Sequence, residues 1–123
     1  MKTRKLITAL DAVTATTTSS AIDIGYAEKV TLLFTRANHS AGSSAFTVTG
    51  SIDGTTYVAL NTLIDNVTNT NGQTLTRVAS STLSSNTSKI YALDLEQFGY
   101  EFIKVTVTET TDGTHSCSVL VEY

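Results

Sequence analysis

The sequence contains no proline and no tryptophan, one cysteine and two histidines. A single cysteine cannot form a disulfide within the chain, which excludes a disulfide-stapled scaffold. A structural zinc site takes about four cysteine or histidine ligands, and only three such residues are present. No apolar run approaches the roughly 20 residues that a membrane-spanning helix needs. We therefore expect one domain outside the membrane, with neither a metal nor a cofactor.

Charged side chains are also scarce, at 15% of 123 residues, against about a quarter in average proteins. The net charge is −3, and three of the eight basic residues, Lys2, Arg4 and Lys5, lie in the first five positions. The rest of the chain is therefore distinctly acidic. A surface that binds nucleic acid or anionic lipid has the opposite sign. We expect neither nucleic acid nor a membrane among the partners.

The first 20 residues differ from the rest, because a basic start is followed by a threonine-rich stretch at positions 14–20. They predict an extended N-terminal arm or a first strand, ahead of a domain over residues 21–123. The apolar stretch at 6–10 ends at Asp11, and the apolar part of a signal peptide normally runs for about 7–15 residues. We therefore expect no secretion signal, and synthesis in the cytoplasm.

Threonine and serine fill the place of the missing charge, with 24 and 13 residues. Threonine is β-branched and suits a strand with one side in water. Four segments alternate apolar and polar residues with the two-residue period of a strand: 30–35, 46–52, 103–108 and 116–123. Shorter candidate strands lie at 22–24, 57–60, 74–79 and 89–95.

Three dipeptides that accept positive φ lie between these segments and predict hairpin turns: Asp53-Gly54, Asn71-Gly72 and Asp112-Gly113. No segment has a sustained helical period. The pattern predicts an all-β fold, an antiparallel β-sandwich or jelly-roll-like domain of about seven to nine strands.

Two groups of residues could carry chemistry. His115 and Cys117 are two positions apart on one predicted strand, a spacing that could hold a metal or pair a thiol with a base. Their face also carries Val119 and Val121, which favours a buried Cys117, with His115 at the rim of the sheet just after the Asp112-Gly113 turn. The second group comprises three carboxylates, Asp94, Glu96 and Glu101.

Paired carboxylates can hydrolyse glycosides when their separation is held, but nothing in the sequence holds it, so we expect these three to be solvated loop residues. No Gly-x-Ser-x-Gly elbow and no phosphate-binding loop occurs. We therefore expect a protein that is not an enzyme.

A succession of motifs points to a family. Ser-x-Asp-Gly-Thr-x-Tyr spans residues 51–57, Leu-Asp-Leu follows at 93–95, and Gly-Tyr-x-Phe-Ile-Lys-Val at 99–105. Over residues 22–123 this succession resembles small β-sandwich virion proteins of tailed bacteriophages, most closely capsid decoration (cement) proteins. The resemblance implies a structural protein on the outer surface of the capsid, where it binds the major capsid protein and stabilises the shell. It also implies self-association, with a trimer as one form.

In that reading the contacts with the shell come from the basic start and from two loops, 37–44 and 61–73. The candidate arm contacts are Lys2, Arg4, Lys5, Leu6 and Ile7. The candidate loop contacts are Arg36, His39, Asn66, Asn69 and Asn71. Two alternatives remain: a tail-tube or head–tail joining protein, and a tail or baseplate module that binds host glycans. In the glycan module, Tyr26, Tyr57, Tyr91 and Tyr100 would replace the missing tryptophan.

Overall fold

The structure is a computed structural model and describes residues 3–66 and 76–123. Apolar and polar side chains alternate along these residues, so the secondary structure that they form is strand. The strands are β1 (Arg4–Val13), β2 (Thr17–Thr18), β3 (Ile22–Asp23), β4 (Lys29–Ala37), β5 (Gly42–Ser51), β6 (Val58–Ala59), β7 (Leu63–Asp65), β8 (Arg77–Val78), β9 (Ser80–Leu83), β10 (Thr87–Leu93), β11 (Phe102–Thr111) and β12 (Thr114–Glu122). The predicted all-β class is confirmed.

The strands form two antiparallel sheets that pack face to face as a sandwich. The first sheet has the order β1-β12-β4-β10-β7-β8. The second has the order β2-β11-β5-β6, with β3 also beside β11 and β9 also beside β5. Each sheet has one inward face, and the alternation along the strands places the apolar side chains on it. The predicted antiparallel sandwich is confirmed. The described residues form twelve strands where about seven to nine were predicted, because several short strands such as β7 and β9 carry too few residues to show an alternation.

The core lies between the sheets and is centred on aromatic rings. Phe34 of β4 stacks on Phe46 of β5, with 4.6 Å between ring centroids and 16° between ring planes. Tyr91 of β10 lies 5.6 Å from Phe34. All three rings are buried, and the stacked pair joins one sheet to the other.

The sequence allows two interpretations of the first 20 residues, and the structure shows the strand. Residues 4–13 are β1, which pairs with β12 through two register shifts. Thr17 and Thr18 form β2 against β11. The N-terminal segment therefore contributes one strand to each sheet.

The turn predictions have mixed outcomes. Asp53-Gly54 joins the neighbouring strands β5 and β6, as expected. Asp112-Gly113 does not form a hairpin, because β11 belongs to the second sheet and β12 to the first. The dipeptide turns the chain from one sheet to the other. Asn71-Gly72 lies outside the described residues.

The stacked pair leads to a test of the core. Replacing Phe34 with alanine should lower the free energy of unfolding by about 3–5 kcal/mol, because the cavity opens between the sheets. Leu33→Ala is the control: its side chain faces outward and is 37% exposed, so its cost should stay near 1 kcal/mol or below. Urea unfolding measures both, and equal costs would contradict the assigned core.

Candidate binding surface

Cys117 lies in the core, as expected, and His115 is buried as well, whereas the sequence predicted it at the rim of the sheet. Both side chains are fully buried. Burial raises the pKa of the Cys117 thiol to about 12, so the thiolate that a nucleophile or metal ligand needs is suppressed at neutral pH. Within residues 3–66 and 76–123, no three His, Cys, Asp or Glu residues are grouped to hold a metal ion. No helix there is long and apolar enough to cross a membrane.

His115 belongs to a buried polar network around Arg36. Arg36 donates from Nη1 to Ser44 Oγ (2.9 Å) and from Nη2 to the Ala41 carbonyl (2.9 Å). Its Nε donates to His39 Nδ1 at 3.0 Å. Since a guanidinium only donates, Ser44 accepts from it, and the hydroxyl proton can reach His115 Nδ1 at 2.5 Å.

The network has the order of a catalytic triad without the access that catalysis requires. In the tautomer just described, His115 Nε2 donates to Glu109 Oε1 at 3.2 Å. Hydroxyl, imidazole and carboxylate thus follow one another as nucleophile, base and orienting acid do in hydrolases. Ser44 and His115 are both 0% exposed, so a substrate cannot reach the hydroxyl. The arrangement closes one end of the sandwich.

Arg36 was expected in a loop, as a contact with a partner, and this prediction is wrong. Its side chain is 0% exposed, because β4 continues its alternation past Phe34 and turns position 36 inward. A Cβ on Gly113 would lie 2.4 Å from Nη1 of Arg36, so a residue without a side chain is required there. We call this end of the sandwich, where β4–β5 and β11–β12 connect, the Arg36 end.

The other predicted loop contacts are dispersed. His39 is half-buried at the Arg36 end and accepts the hydrogen bond from Arg36. Asn66 is exposed beside Leu33 and Ile90, in a shallow groove on the outer side of the first sheet. Asn69 and Asn71 lie outside the described residues.

The predicted arm contacts start β1 at the opposite end of the sandwich. Arg4 Nε lies 2.9 Å from Glu122 Oε1. Lys5 and Ile7 line a groove, whereas Leu6 points to the other side and is 70% exposed. Lys2 lies outside the described residues.

The carboxylates of Asp94, Glu96 and Glu101 have different surroundings, and the prediction that Asp94 is solvated is wrong. Asp94 is buried, with Oδ2 2.6 Å from Arg77 Nε. The hydrogen bond from Arg77, followed by that from the Glu96 backbone N–H, lowers the pKa of Asp94 below its usual 3.8. Asp94 is therefore a paired structural carboxylate, whereas Glu96 and Glu101 are exposed as expected.

One groove is built around an exposed tyrosine. The groove, which we call the Tyr26 groove, has a volume of about 580 Å³, and its lining includes Lys5, Ile7, Asp23, Tyr26, Glu101 and Tyr123. Tyr26 is 99% exposed and has a φ of 65°. A tyrosine whose backbone lies in the left-handed region is strained, and an exposed ring contributes nothing to the core. Folding therefore does not account for this residue.

The remaining tyrosines considered as glycan platforms are less available. Tyr91 is buried. Lys104 Nζ lies 4.3 Å from the centroid of the Tyr57 ring and covers one of its faces. Tyr100 is half-buried, and this burial raises the pKa of its hydroxyl.

Three further grooves meet at Tyr100, at the end of the sandwich opposite Arg36. We call them together the Tyr100 surface. It is formed by the connections β3–β4, β5–β6 and β10–β11 and presents Ile52, Val58 and Phe98, which are 74%, 58% and 60% exposed. Residues 51–57 and 99–105 carry the family resemblance described above, and the sequence patterns did not predict this surface. An available signal was the presence of Ile52 and Phe98 beside turn residues, where polar side chains are usual.

No model of a known protein family matches the chain, and no curated protein matches it by sequence. Its fold is shared by solved structures, among them the following two. SPBc2 prophage-derived protein YomS superposes with a TM-score of 0.74 and 14% identity, covering 100% of this chain and 96% of YomS. PBSX exported protein XepA gives a TM-score of 0.76 and 12% identity over 99% of this chain, which spans 38% of XepA. At these identities the similarity is one of fold.

The buried network leads to a second test. Ser44→Ala removes the hydroxyl between Arg36 and His115 and leaves polar atoms of both without a partner, so unfolding should become easier by about 2–4 kcal/mol. Ser43→Ala is the matched control, because its hydroxyl lies on the outer face beside Thr110, and it should cost less than about 1 kcal/mol. Guanidinium unfolding compares the two. A Ser44→Ala protein as stable as the control would show that the network contributes no stability.

Proposed function

We propose that this chain is a structural protein of a bacteriophage particle that binds the outer surface of the capsid, without catalysis, and stabilises the shell. The exposed apolar Tyr100 surface is the observation that carries the proposal, because soluble monomers rarely leave such side chains grouped and uncovered. Two further features support it. Prophages encode both proteins with the same fold, and the Ser44–His115–Glu109 arrangement is closed to substrates.

The mechanism would be passive. A protein that binds the assembled lattice and not the free capsid subunits stabilises the lattice by mass action. Repetition of the contact over the shell multiplies the effect of a modest single affinity, and self-association of the chain on the shell would add to it. The partner is the major capsid protein, and neither nucleic acid nor a membrane takes part.

The test uses the phage that encodes the chain. Purified labelled protein is sedimented with tail-free capsids that lack it and, separately, with isolated tails. We expect saturable co-sedimentation with capsids and a higher temperature of shell disruption, because the bound state is the assembled one. Binding to tails alone would replace the capsid role with the tail or head–tail joining role, and no binding to either would reject the proposal.

The Tyr26 groove favours a second candidate, a module that binds host glycans. Ligand sites combine apolar or aromatic surface with a few polar groups that orient the ligand. Here Tyr26 offers an exposed ring, and Asp23 and Glu101 offer carboxylates in the same groove. The carboxylates could accept hydrogen bonds from sugar hydroxyls while the ring packs on a sugar face.

This candidate predicts binding on a glycan array at millimolar sensitivity that Tyr26→Ala weakens roughly tenfold or more. Phe98→Ala is the control, since Phe98 is an exposed aromatic residue that does not line the Tyr26 groove. Circular dichroism should show both variants folded, because neither ring is in the core. Equal loss in both variants, or no glycan bound by the wild type, would eliminate the candidate.

A further inference from the structure

Two of the three grooves of the Tyr100 surface combine apolar side chains with negative charge. Ile52 lines two of the three grooves that meet at Tyr100. Among the described residues, the charged ones that line these two grooves are Asp53 and Glu101, both acidic. Arg77 lines the third groove of the Tyr100 surface, where it is paired with Asp94, and Lys5 lines the Tyr26 groove.

Asp53 is held in place as an ionised group. Its Oδ1 accepts hydrogen bonds from the backbone N–H of Thr56 (2.9 Å) and Thr55 (2.8 Å), and from the Ser51 hydroxyl (2.9 Å). These bonds, in that order, lower the pKa of Asp53 below its usual 3.8. Its Oδ2 is not used in these bonds. The carboxylate is therefore oriented before any partner arrives, which reduces the entropy lost on binding.

The Glu101 carboxylate lies beside the backbone of Gly25. A Cβ on Gly25 would lie 2.7 Å from Glu101 Oε2 and 3.2 Å from Asp23 Oδ1. The absence of a side chain at position 25 thus leaves room for the Glu101 carboxylate beside the β3–β4 turn. Glu101 remains exposed to solvent there.

We propose that this chain docks on the capsid protein through the Tyr100 surface, and that the contacted face of the capsid protein is basic with an apolar centre. An aliphatic or aromatic side chain of the partner packs beside Ile52 and Tyr100. A lysine or arginine of the partner meets Asp53 and Glu101 at the edge. The charge is the argument for this occupant, since an acidic rim around an apolar centre selects a basic protein surface. The inference rests on the capsid role proposed above.

Gly99 provides a probe that leaves the fold intact. It lines the groove beside Ile52, and a Cβ built on it would meet no atom within 4 Å. Gly99→Arg therefore places a long, positively charged side chain over the surface, and its Cβ displaces no neighbour. Ser85→Arg makes the same addition of charge in the exposed β9–β10 connection, which lies at the Arg36 end.

The experiment repeats the capsid sedimentation with wild type, Gly99→Arg and Ser85→Arg, after circular dichroism and thermal unfolding have shown that both variants fold. We expect Gly99→Arg to bind at least about tenfold more weakly, and Ser85→Arg to bind as the wild type does. Glu101→Gln should weaken binding at 0.05 M salt by more than at 0.5 M, because the added salt screens the contact.

The outcomes separate the two proposals. If wild type does not bind capsids, the capsid role fails and this inference fails with it. If wild type and Gly99→Arg bind equally, the capsid role stands and the docking face is elsewhere. If Gly99→Arg binds capsids normally but loses self-association in sedimentation velocity, the surface belongs to a second copy of the chain, and the inference is overturned. Loss of glycan binding alone would overturn it in favour of a sugar site.

Discussion

The buried guanidinium of Arg36 is the constraint on which one end of this molecule depends. Three nitrogen atoms of the group donate hydrogen bonds to Ser44, Ala41 and His39, which lie on the connection from β4 to β5 and just beyond it. A buried cation without partners would cost several kcal/mol, so the connection must adopt the conformation that supplies acceptors. Gly113 lets the second connection pass over the same group. The network thereby joins both sheets where the chain crosses between them.

The two ends of the sandwich solve the same problem in different ways. A sandwich is open at its ends, where the strands stop and the core would meet water. At the Arg36 end, polar groups that bond one another fill the opening. At the other end Tyr100 is half-buried, and Ile52, Val58 and Phe98 remain in solvent. This end of the sandwich therefore leaves apolar area exposed to water. Such exposure is the usual property of a surface that a partner covers.

The alternation of residues predicted most of the fold and could have predicted more. It placed Val30, Leu32 and Phe34 inward, and one further step of the same period places Arg36 inward too. An unpaired charge is rarely buried, but Arg36 is buried because Ser44, Ala41 and His39 accept its hydrogen bonds. Asp94 is buried with its partner Arg77, which lies 17 positions away in the chain. Pairing partners distant in the chain are not visible to a local pattern.

By itself, the sequence determined the all-β class, the antiparallel sandwich, the inward faces of the long strands and the turn at Asp53-Gly54. These features arise from the two-residue period and from backbone preferences, which act between near neighbours. Only the tertiary structure decided that Ser44, His115 and Glu109 would meet in the core, and that strand β6 and the β5–β6 and β10–β11 connections would gather Ile52, Val58 and Phe98 around Tyr100. Both groupings depend on which strands pair and where the chain changes sheet. That choice minimises the free energy of the whole core and is not encoded in any single segment.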